Sequence, residues 1–401
     1  MVSSNIFLDT EKKPAELVFK SEGGFVDEMI PDDFLFEEDF SPRSTSSKWT
    51  PRYCSLKLLY LFVMILLMTI IFGSLYQKRA EKLAFFENQQ MFKDFNQRFG
   101  KKHESLDDLR MRFTVFMENL KRIKVLQAEN TGVRFSVNQF TDRTDDEMKK
   151  MTMDRKFMTS DIENSSLKFF NGTFPESFGL RNVQRPDYKD WRNDGKVMSV
   201  KNQGQCGSCW AFSTVAAVES QYAIKRGTLW SLSEQELVDC DGESYGCNGG
   251  FMDKALGWIL GNGLETEDDY PYDAVRHDQC YINGGKTRVR VDEGYRLANN
   301  EDFIADWVDS VGPVSFAMRL PKSFYSYSNG VYHPSEGECN DPNNGYHAMT
   351  IIGYGNEGGQ DYWIVKNSWG NNGWGDQGYM RLARGNNVCG AADYVVGPKI
   401  N

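Results

Sequence analysis

Apolar residues follow several distinct patterns along this 401-residue chain, and each predicts a different element. From Leu58 to Gln77 run 20 residues without a charge, LLYLFVMILLMTIIFGSLYQ. At 1.5 Å per residue they make about 30 Å of helix, the thickness of a bilayer core. The stretch exceeds the roughly 7–15 apolar residues of a cleaved signal peptide, and it starts deep in the chain, so it reads as a transmembrane anchor. Over residues 80–150 the pattern narrows to one helical face. Phe85, Phe92, Phe95 and Phe99 fall at i, i+7, i+10 and i+14, and a second amphipathic stretch runs from about Leu106 to Ala128. The run WAFSTVAAVE from Trp210 is apolar on nearly all sides and predicts a buried helix beginning at Cys209. An alternating run after His347 and the short run Tyr362–Val365 predict strands. Residues 1–50 are acidic, with Pro31, Pro42 and a Ser/Thr cluster, and are expected to be disordered; residues 151–182 are polar and weakly patterned.

Charge sharpens this division. Residues 1–40 carry 11 acids and 3 bases, residues 41–182 carry 24 bases and 16 acids, and residues 183–401 carry 19 bases and 29 acids. A basic middle beside an acidic C-terminal part implies mutual attraction. The cations are scattered over amphipathic helices, so no nucleic-acid partner is expected.

The candidate chemistry begins at Gln203-Gly-Gln-Cys206-Gly-Ser-Cys209-Trp210. A thiol at a helix N-terminus meets unpaired N–H groups and the positive end of the dipole, which favour the nucleophilic thiolate. His347 follows Cys209 by 138 residues and Asn367 by 158. An imidazole beside the thiol takes its proton, an amide oxygen on the far ring nitrogen fixes its tautomer, and the same imidazole protonates the leaving amine. Gln203 can direct its side-chain NH₂ at a developing oxyanion, alongside the Cys209 N–H. A redox dithiol at Cys206/Cys209 lacks an evident βαβ setting, and a zinc site lacks a second ligand pair.

From Lys78 to its end the chain closely resembles the papain-like cysteine proteases, cathepsin L-like members in particular. The resemblance rests on DWRNDGKVMSVKNQGQCGSCWAF, SLSEQELVDC, GCNGGFMDKAL, HAMTIIGYG, YWIVKNSWG and WGDQGYMRLARG, in the family's order. It implies an α+β, two-lobe papain-like fold, with a helical lobe over about Trp191–Ala298 and a β-barrel-like lobe over about Asn299–Pro398. A helical prosegment and one transmembrane helix would precede it. By position it implies Cys209 as nucleophile, His347 as base, Asn367 as orienting amide and Gln203 as oxyanion donor. Trp369 would cover the Asn–His bond. Gly249 and Gly250 would offer backbone hydrogen bonds to an extended substrate. Met252, Ala317, Ala348 and Tyr394 would line the pocket for the P2 side chain, with Tyr394 making a shallow floor that suits Leu or Val over Arg. A one-residue slip would bring Asp393 there instead. Tyr346 stands where relatives usually carry Asp or Asn.

The resemblance also implies the disulfides Cys206–Cys247, Cys240–Cys280 and Cys339–Cys389, which leave Cys209 free and Cys54 on the other side of the membrane. Flanking charges do not settle the orientation of the anchor; disulfides put the C-terminal part in an oxidising lumen, giving a type II topology similar to that of apicomplexan-parasite members of the family. Arg112-x3-Phe116-x2-Asn119-x3-Ile123 resembles the family's inhibitory prosegment motif, with Asp108 and Gln127 replacing its flanking Glu and Asn. Ser136-x-Asn138-x-Phe140-x-Asp142 resembles the second motif, with Ser at the usual Gly.

The expected organisation is therefore 1–57 cytosolic tail, 58–77 anchor, 78–150 inhibitory prosegment, 151–182 linker and 183–401 mature protease, cut near Val183–Arg185. Protonation of carboxylates below about pH 5 is expected to weaken prosegment attraction and release it. Asn164 and Asn171 head N-x-[ST] sequons on the luminal side. The resemblance points to a monomeric endopeptidase acting on proteins and peptides in an acidic endosomal, lysosomal or vacuolar compartment, with no metal or organic cofactor. The alternative is a catalytically silent binding or inhibitor module of the same fold.

Overall fold

A computed structural model describes residues 51–154, 165–174, 178, 185–282 and 285–401, with only the backbone of 51–56. The N-terminal tail, Asn164, Val183 and the Cys54 side chain lie outside the described residues. The chain divides into two compact units, Met1–Lys78 and Arg79–Asn401.

In chain order, α1 spans Pro51–Arg98 and α2 Leu106–Glu129, followed by β1 (Val133–Phe135), α3 (Asp145–Lys149), β2 (Lys168–Phe170) and β3 (Lys189–Asp190). Then come α4 (Cys209–Arg226), α5 (Glu234–Cys240), α6 (Met252–Asn262), β4 (Glu293–Leu297), α7 (Glu301–Ser310), β5 (Val314–Arg319), β6 (Tyr327–Tyr332) and α8 (Glu336–Cys339). Last are β7 (Tyr346–Glu357), β8 (Gln360–Lys366), β9 (Tyr379–Ala383) and β10 (Tyr394–Lys399). The apolar stretch of α1 has a mean hydropathy of 2.6 with none of it buried, so by length and composition this helix can cross a membrane.

Ser105 caps α2 by accepting from the Asp108 N–H, and the motif face of α2 buries Phe116, Leu120 and Ile123. Phe116 meets Phe92 and Phe95 of α1 with centroids 5.2 and 5.1 Å apart. The aromatic period of residues 80–150 is thus one interhelical seam. The second stretch ends as α2 at Glu129, and between it and α3 the otherwise helical region contains the short strand β1. Gln127, in the last turn of α2, accepts from the Phe135 N–H through its side chain (2.9 Å) and so ties β1 to the helix end.

Arg112 ties the prosegment together. It donates both guanidinium nitrogens to the Glu147 carboxylate, each at 2.7 Å. Asn119 donates to the carbonyls of Thr141 and Arg143. A capping box between Thr144 and Glu147 starts α3. Burial opposes ionisation of Glu147, yet the Arg112 hydrogen bonds and the Thr144 backbone hold it at about 2 against an ordinary 4.5. A depressed carboxylate contributes stability that is present above pH 4.5 and is lost only as the pH falls toward 2. Glu147→Gln removes a half-buried bidentate pair worth about 1–2 kcal/mol. We expect zymogen processing at pH 5.5 to become roughly tenfold faster, read by gel time course; an unchanged rate would show that this pair does not limit release.

The strands form one mixed sheet in the order β1-β6-β9-β8-β7-β5-β10-β4-β2, with β3 on β7. Its apolar faces merge with α7 and parts of the prosegment into one core that includes Trp307, Phe316, Trp363 and Trp369. A second core gathers around α4 and α6, with Trp210, Val215, Leu237 and Leu256. β4 joins the sheet although it precedes Asn299, so the sheet begins a few residues before the approximate lobe boundary. Both ends of the prosegment join the sheet. β1 pairs with β6 antiparallel, and β2 pairs with β4 in parallel, Phe170 opposite Leu297. The weak pattern of 151–182 hid β2, because three residues are too few to show a period.

Candidate active site

The buried helix α4 begins at Cys209 and ends at Gly227, whose φ of +81° closes it. Its first turn, Cys209–Phe212, is buried on all sides, which is why no polar face appears in WAFSTVAAVE. Cys206–Cys247, Cys240–Cys280 and Cys339–Cys389 are bonded, and Cys209 is the free thiol among the described residues. His347 is the second residue of β7, and Asn367 directly follows β8, its hydrogen-bonded neighbour.

These elements converge. Cys209 and Ala348, the neighbour of His347, share one buried cluster. His347 Nε2 lies 2.7 Å from Asn367 Oδ1. That oxygen also accepts from the Ser368 N–H (2.8 Å), so Nε2 carries the proton and Nδ1 keeps a free electron pair. Nδ1 is buried without a hydrogen-bond partner. The Trp369 ring lies 4.8 Å from the imidazole, centroid to centroid, and Ser368 donates to Gln203 Oε1 at 2.7 Å. Cys209, His347, Asn367, Gln203 and Trp369 thus form one connected group across α4 and the sheet.

The prosegment fills this group. Gln203 Nε2 donates to the Met151 carbonyl at 2.9 Å and to the Cys206 carbonyl at 2.8 Å. Met153 and Tyr346 exchange backbone hydrogen bonds of 2.7 and 2.9 Å, an antiparallel bridge beside His347. A Cβ on Gly345 would lie 2.7 Å from Thr152 Oγ1, so glycine there lets the prosegment approach. Gln139 donates to the Trp369 carbonyl (2.7 Å), and Phe140 packs edge-on against its ring. Met151, Met153 and Gln139 are the functional contacts that sequence reading missed; a backbone carbonyl leaves no residue-type signature.

Met153 shares an apolar cluster with Met252, Ala317, Ala348 and Tyr394. The Tyr394 hydroxyl donates to the Asp253 carboxylate and accepts from the Asp253 N–H (3.1 Å), so it is committed to the start of α6. Asp393 is exposed and accepts from Asn299 and Asn387. Gly249 adopts φ +114°, and its carbonyl accepts from the Tyr245 N–H. Gly250 leaves no room for a Cβ against the Trp210 ring. Asn171 is exposed just beyond β2.

Burial alters the expected electrostatics. Desolvation pushes the Cys209 thiol up to about 12, against the hydrogen bonds from Ala348 and the α4 N-terminus. Desolvation also lowers His347 to about 4, against the pull of Asn367. The helix N-terminus does not deliver a thiolate here, because a charge without water costs more than the dipole returns. With the prosegment seated, burial disfavours the charged form of both groups.

The close ion pairs of the prosegment hold their charge in mild acid. Burial works against Asp145, yet Lys322 and Arg122 hold it below its ordinary range, and Glu147 behaves likewise. These pairs stay charged through pH 5, so protonation there does not break them.

Comparison with known proteins agrees with this arrangement. The profile of the papain family cysteine proteases matches residues 185–399, and that of the cathepsin propeptide inhibitor domain (I29) matches residues 92–148. Cysteine proteinase 3 of Solanum lycopersicum is 39% identical over 306 residues, covering 75% of this chain and 82% of its own. The cathepsin L-like proteinase of Phaedon cochleariae is 37% identical, covering 74% and 89%. The structure of digestive procathepsin L2 from the larval midgut of Tenebrio molitor superimposes with a TM-score of 0.71 at 36% identity, covering 78% of this chain and all of that one. The buried thiol under a seated propeptide, and these matches across both segments, make the chain a member of the papain family of cysteine proteases, carried as a zymogen with its own inhibitory propeptide.

Proposed function

We propose that the chain is a membrane-anchored endopeptidase zymogen that cleaves proteins and peptides through Cys209 and His347. The observation that carries this reading is the Met151 carbonyl on Gln203 Nε2, a peptide carbonyl held where a substrate's would be. Once the prosegment leaves, water relieves both pKa shifts and the proton moves from Cys209 to His347 Nδ1. The thiolate attacks the scissile carbonyl carbon. Gln203 Nε2–H and the Cys209 N–H stabilise the oxyanion, and the imidazolium protonates the leaving amine. Water, deprotonated by His347, then hydrolyses the thioester.

Residues 58–77 would anchor the chain as a type II protein, with the protease in an acidic endosomal, lysosomal or vacuolar lumen. Three disulfides support the oxidising side. Acid activation would rest on the diffuse attraction between the basic prosegment and the exposed carboxylates of the acidic protease, since the close pairs persist. The test is to refold residues 78–401, shift from pH 7 to pH 4.5, and follow processing and cleavage of a fluorogenic Leu-Arg peptide with and without an epoxide thiol inhibitor. Inhibitor-sensitive cleavage supports the reading. A folded but inert protein favours the binding module, and equal processing at both pH values removes the acid step.

The pocket occupied by the Met153 cluster predicts specificity. Its lining is apolar and its one hydroxyl is committed to Asp253, so Leu, Met or Val at P2 should exceed Arg by about tenfold in kcat/KM, the scale of one well-placed apolar side chain. A P2 library preferring Arg would refute this.

A further inference from the structure

The segment after the cleft is neither inhibitor nor linker by its packing. The propeptide profile ends at residue 148 and the protease profile begins at 185, so neither covers it. β2 forms the outer edge of the sheet, with Lys168 opposite Tyr295 and Phe170 opposite Leu297. The Ala298 N–H donates to the Phe170 carbonyl at 2.9 Å, continuing the ladder. Phe170 is 2% exposed and meets the Trp307 ring edge-on at 5.2 Å. The Phe174 ring lies tilted against Phe170 with centroids 4.8 Å apart. Phe178 meets Tyr295 at 5.6 Å and Trp307 at 5.8 Å, and Lys399 lies over its ring. Glycines on both sides make the fit close. A Cβ on Gly294 would lie 2.8 Å from Leu167, and one on Gly172 would lie 2.6 Å from the Phe303 ring.

We propose that the open edge of β4, with the aromatic groove of Tyr295, Phe303 and Trp307 beside it, is a peptide-docking surface separate from the catalytic cleft. Its occupant is this chain's own Leu167–Phe174 and Phe178, which stay with the protease after the inhibitory helices depart. Removing them would leave a strand edge unpaired and Trp307 stripped of three aromatic neighbours, an exposed patch of the kind that drives association. The inhibitory part is also seated by a strand, β1 on β6, and by Phe140 on Trp369, but it runs across the catalytic cleft, whereas Leu167–Phe174 lies on the opposite edge of the sheet against β4 and α7. The Lys168–Glu293 pair (2.5 Å) survives acid, because hydrogen bonds from Lys168 and Tyr295 hold Glu293 at about 2. The first cut of maturation therefore falls on the N-terminal side of Leu167. This differs from the boundary near Val183–Arg185 that the sequence suggests, and it rests on the zymogen reading above.

The test is mass spectrometry of the processed full chain, purified in detergent, under native and denaturing conditions. The expected native mass contains residues 167–178, either as an N-terminal extension or as a peptide released only on denaturation. A processed enzyme that starts beyond Phe178 and holds no peptide overturns the proposal. Phe170→Ala and Gly172→Val, neither in the catalytic machinery, should each lose the segment and lower the Tm of the processed enzyme by about 5 °C or more. Unchanged retention and Tm in both would also overturn it. If the wild type never processes itself, the endopeptidase reading fails on its own. Digestion of the Cys209→Ala zymogen with added pepsin then still reads the surface: protection of 167–178 supports it, and its early loss overturns it.

Discussion

Cys209→Ala is expected to abolish peptide hydrolysis, with kcat reduced roughly 10⁵-fold or more, while the zymogen stays folded. The two halves of this expectation have separate causes. Position 209 opens α4, where alanine is the best helix former, and the substitution removes one sulfur from a site packed by Trp210 and Ala348. The three disulfides do not involve it. Stability should therefore fall by little more than the loss of one buried atom. Chemistry fails because no other group in the connected site is a nucleophile. In the proposed mechanism His347, Asn367 and Gln203 would position, transfer a proton or stabilise charge, and none would form the acyl bond. Self-processing should stop with it, leaving a single full-length band at pH 4.5 when no other protease is added. A variant that retains cleavage within tenfold of wild type would remove Cys209 from its role.

Alkylation of the wild-type zymogen by iodoacetamide at pH 7 should accelerate at least 10³-fold on processing. With the thiol at about 12, only on the order of one molecule in 10⁵ is a thiolate at pH 7, and the thiolate is the reacting form. Burial under the prosegment sets this, since desolvation both raises Cys209 and lowers His347 to about 4. Each shift favours the neutral partner, so they act together. The sign follows: a thiol with a raised pKa stays protonated at every pH below about 12, and an imidazole with a lowered pKa stays neutral above about 4. Removal of Met151–Asp154 admits water and lets the proton pass from sulfur to Nδ1. That transfer takes no proton from solvent, so labelling of the processed enzyme should differ little between pH 5 and pH 7, while the acceleration over the zymogen grows as the pH falls. Labelling of the intact zymogen as fast as of the processed enzyme would show that the prosegment does not control ionisation of the pair.

Much of this was legible in the residues because local chemistry demands particular types. An uncharged run long enough to cross a bilayer, phenylalanines on one face of α1, and glycine after a buried helix each have a short-range cause. The elements that carry Cys209, His347 and Asn367 were readable for the same reason. Less was readable where backbone acts. β2 is three residues of pairing with a distant β4, Lys168 opposite Tyr295, and no local period announces it.

The sequence by itself offered the groups that can react: a thiol at the start of a buried helix, an imidazole and two amides; that Cys209 stays outside the disulfides was implied by the family resemblance. The sequence also determined that the helices before them present one apolar face. The tertiary structure alone decided the state of those groups. Whether Cys209 is a thiolate depends on water, and water is excluded by Met151–Asp154 lying on a cleft assembled from α4 and β7. The same holds for Gln203, whose NH₂ could face many acceptors and is held on Met151 by Ser368. Residue types set what is possible over a few bonds; burial and long-range pairing, which sum over the whole fold, set which possibility is realised.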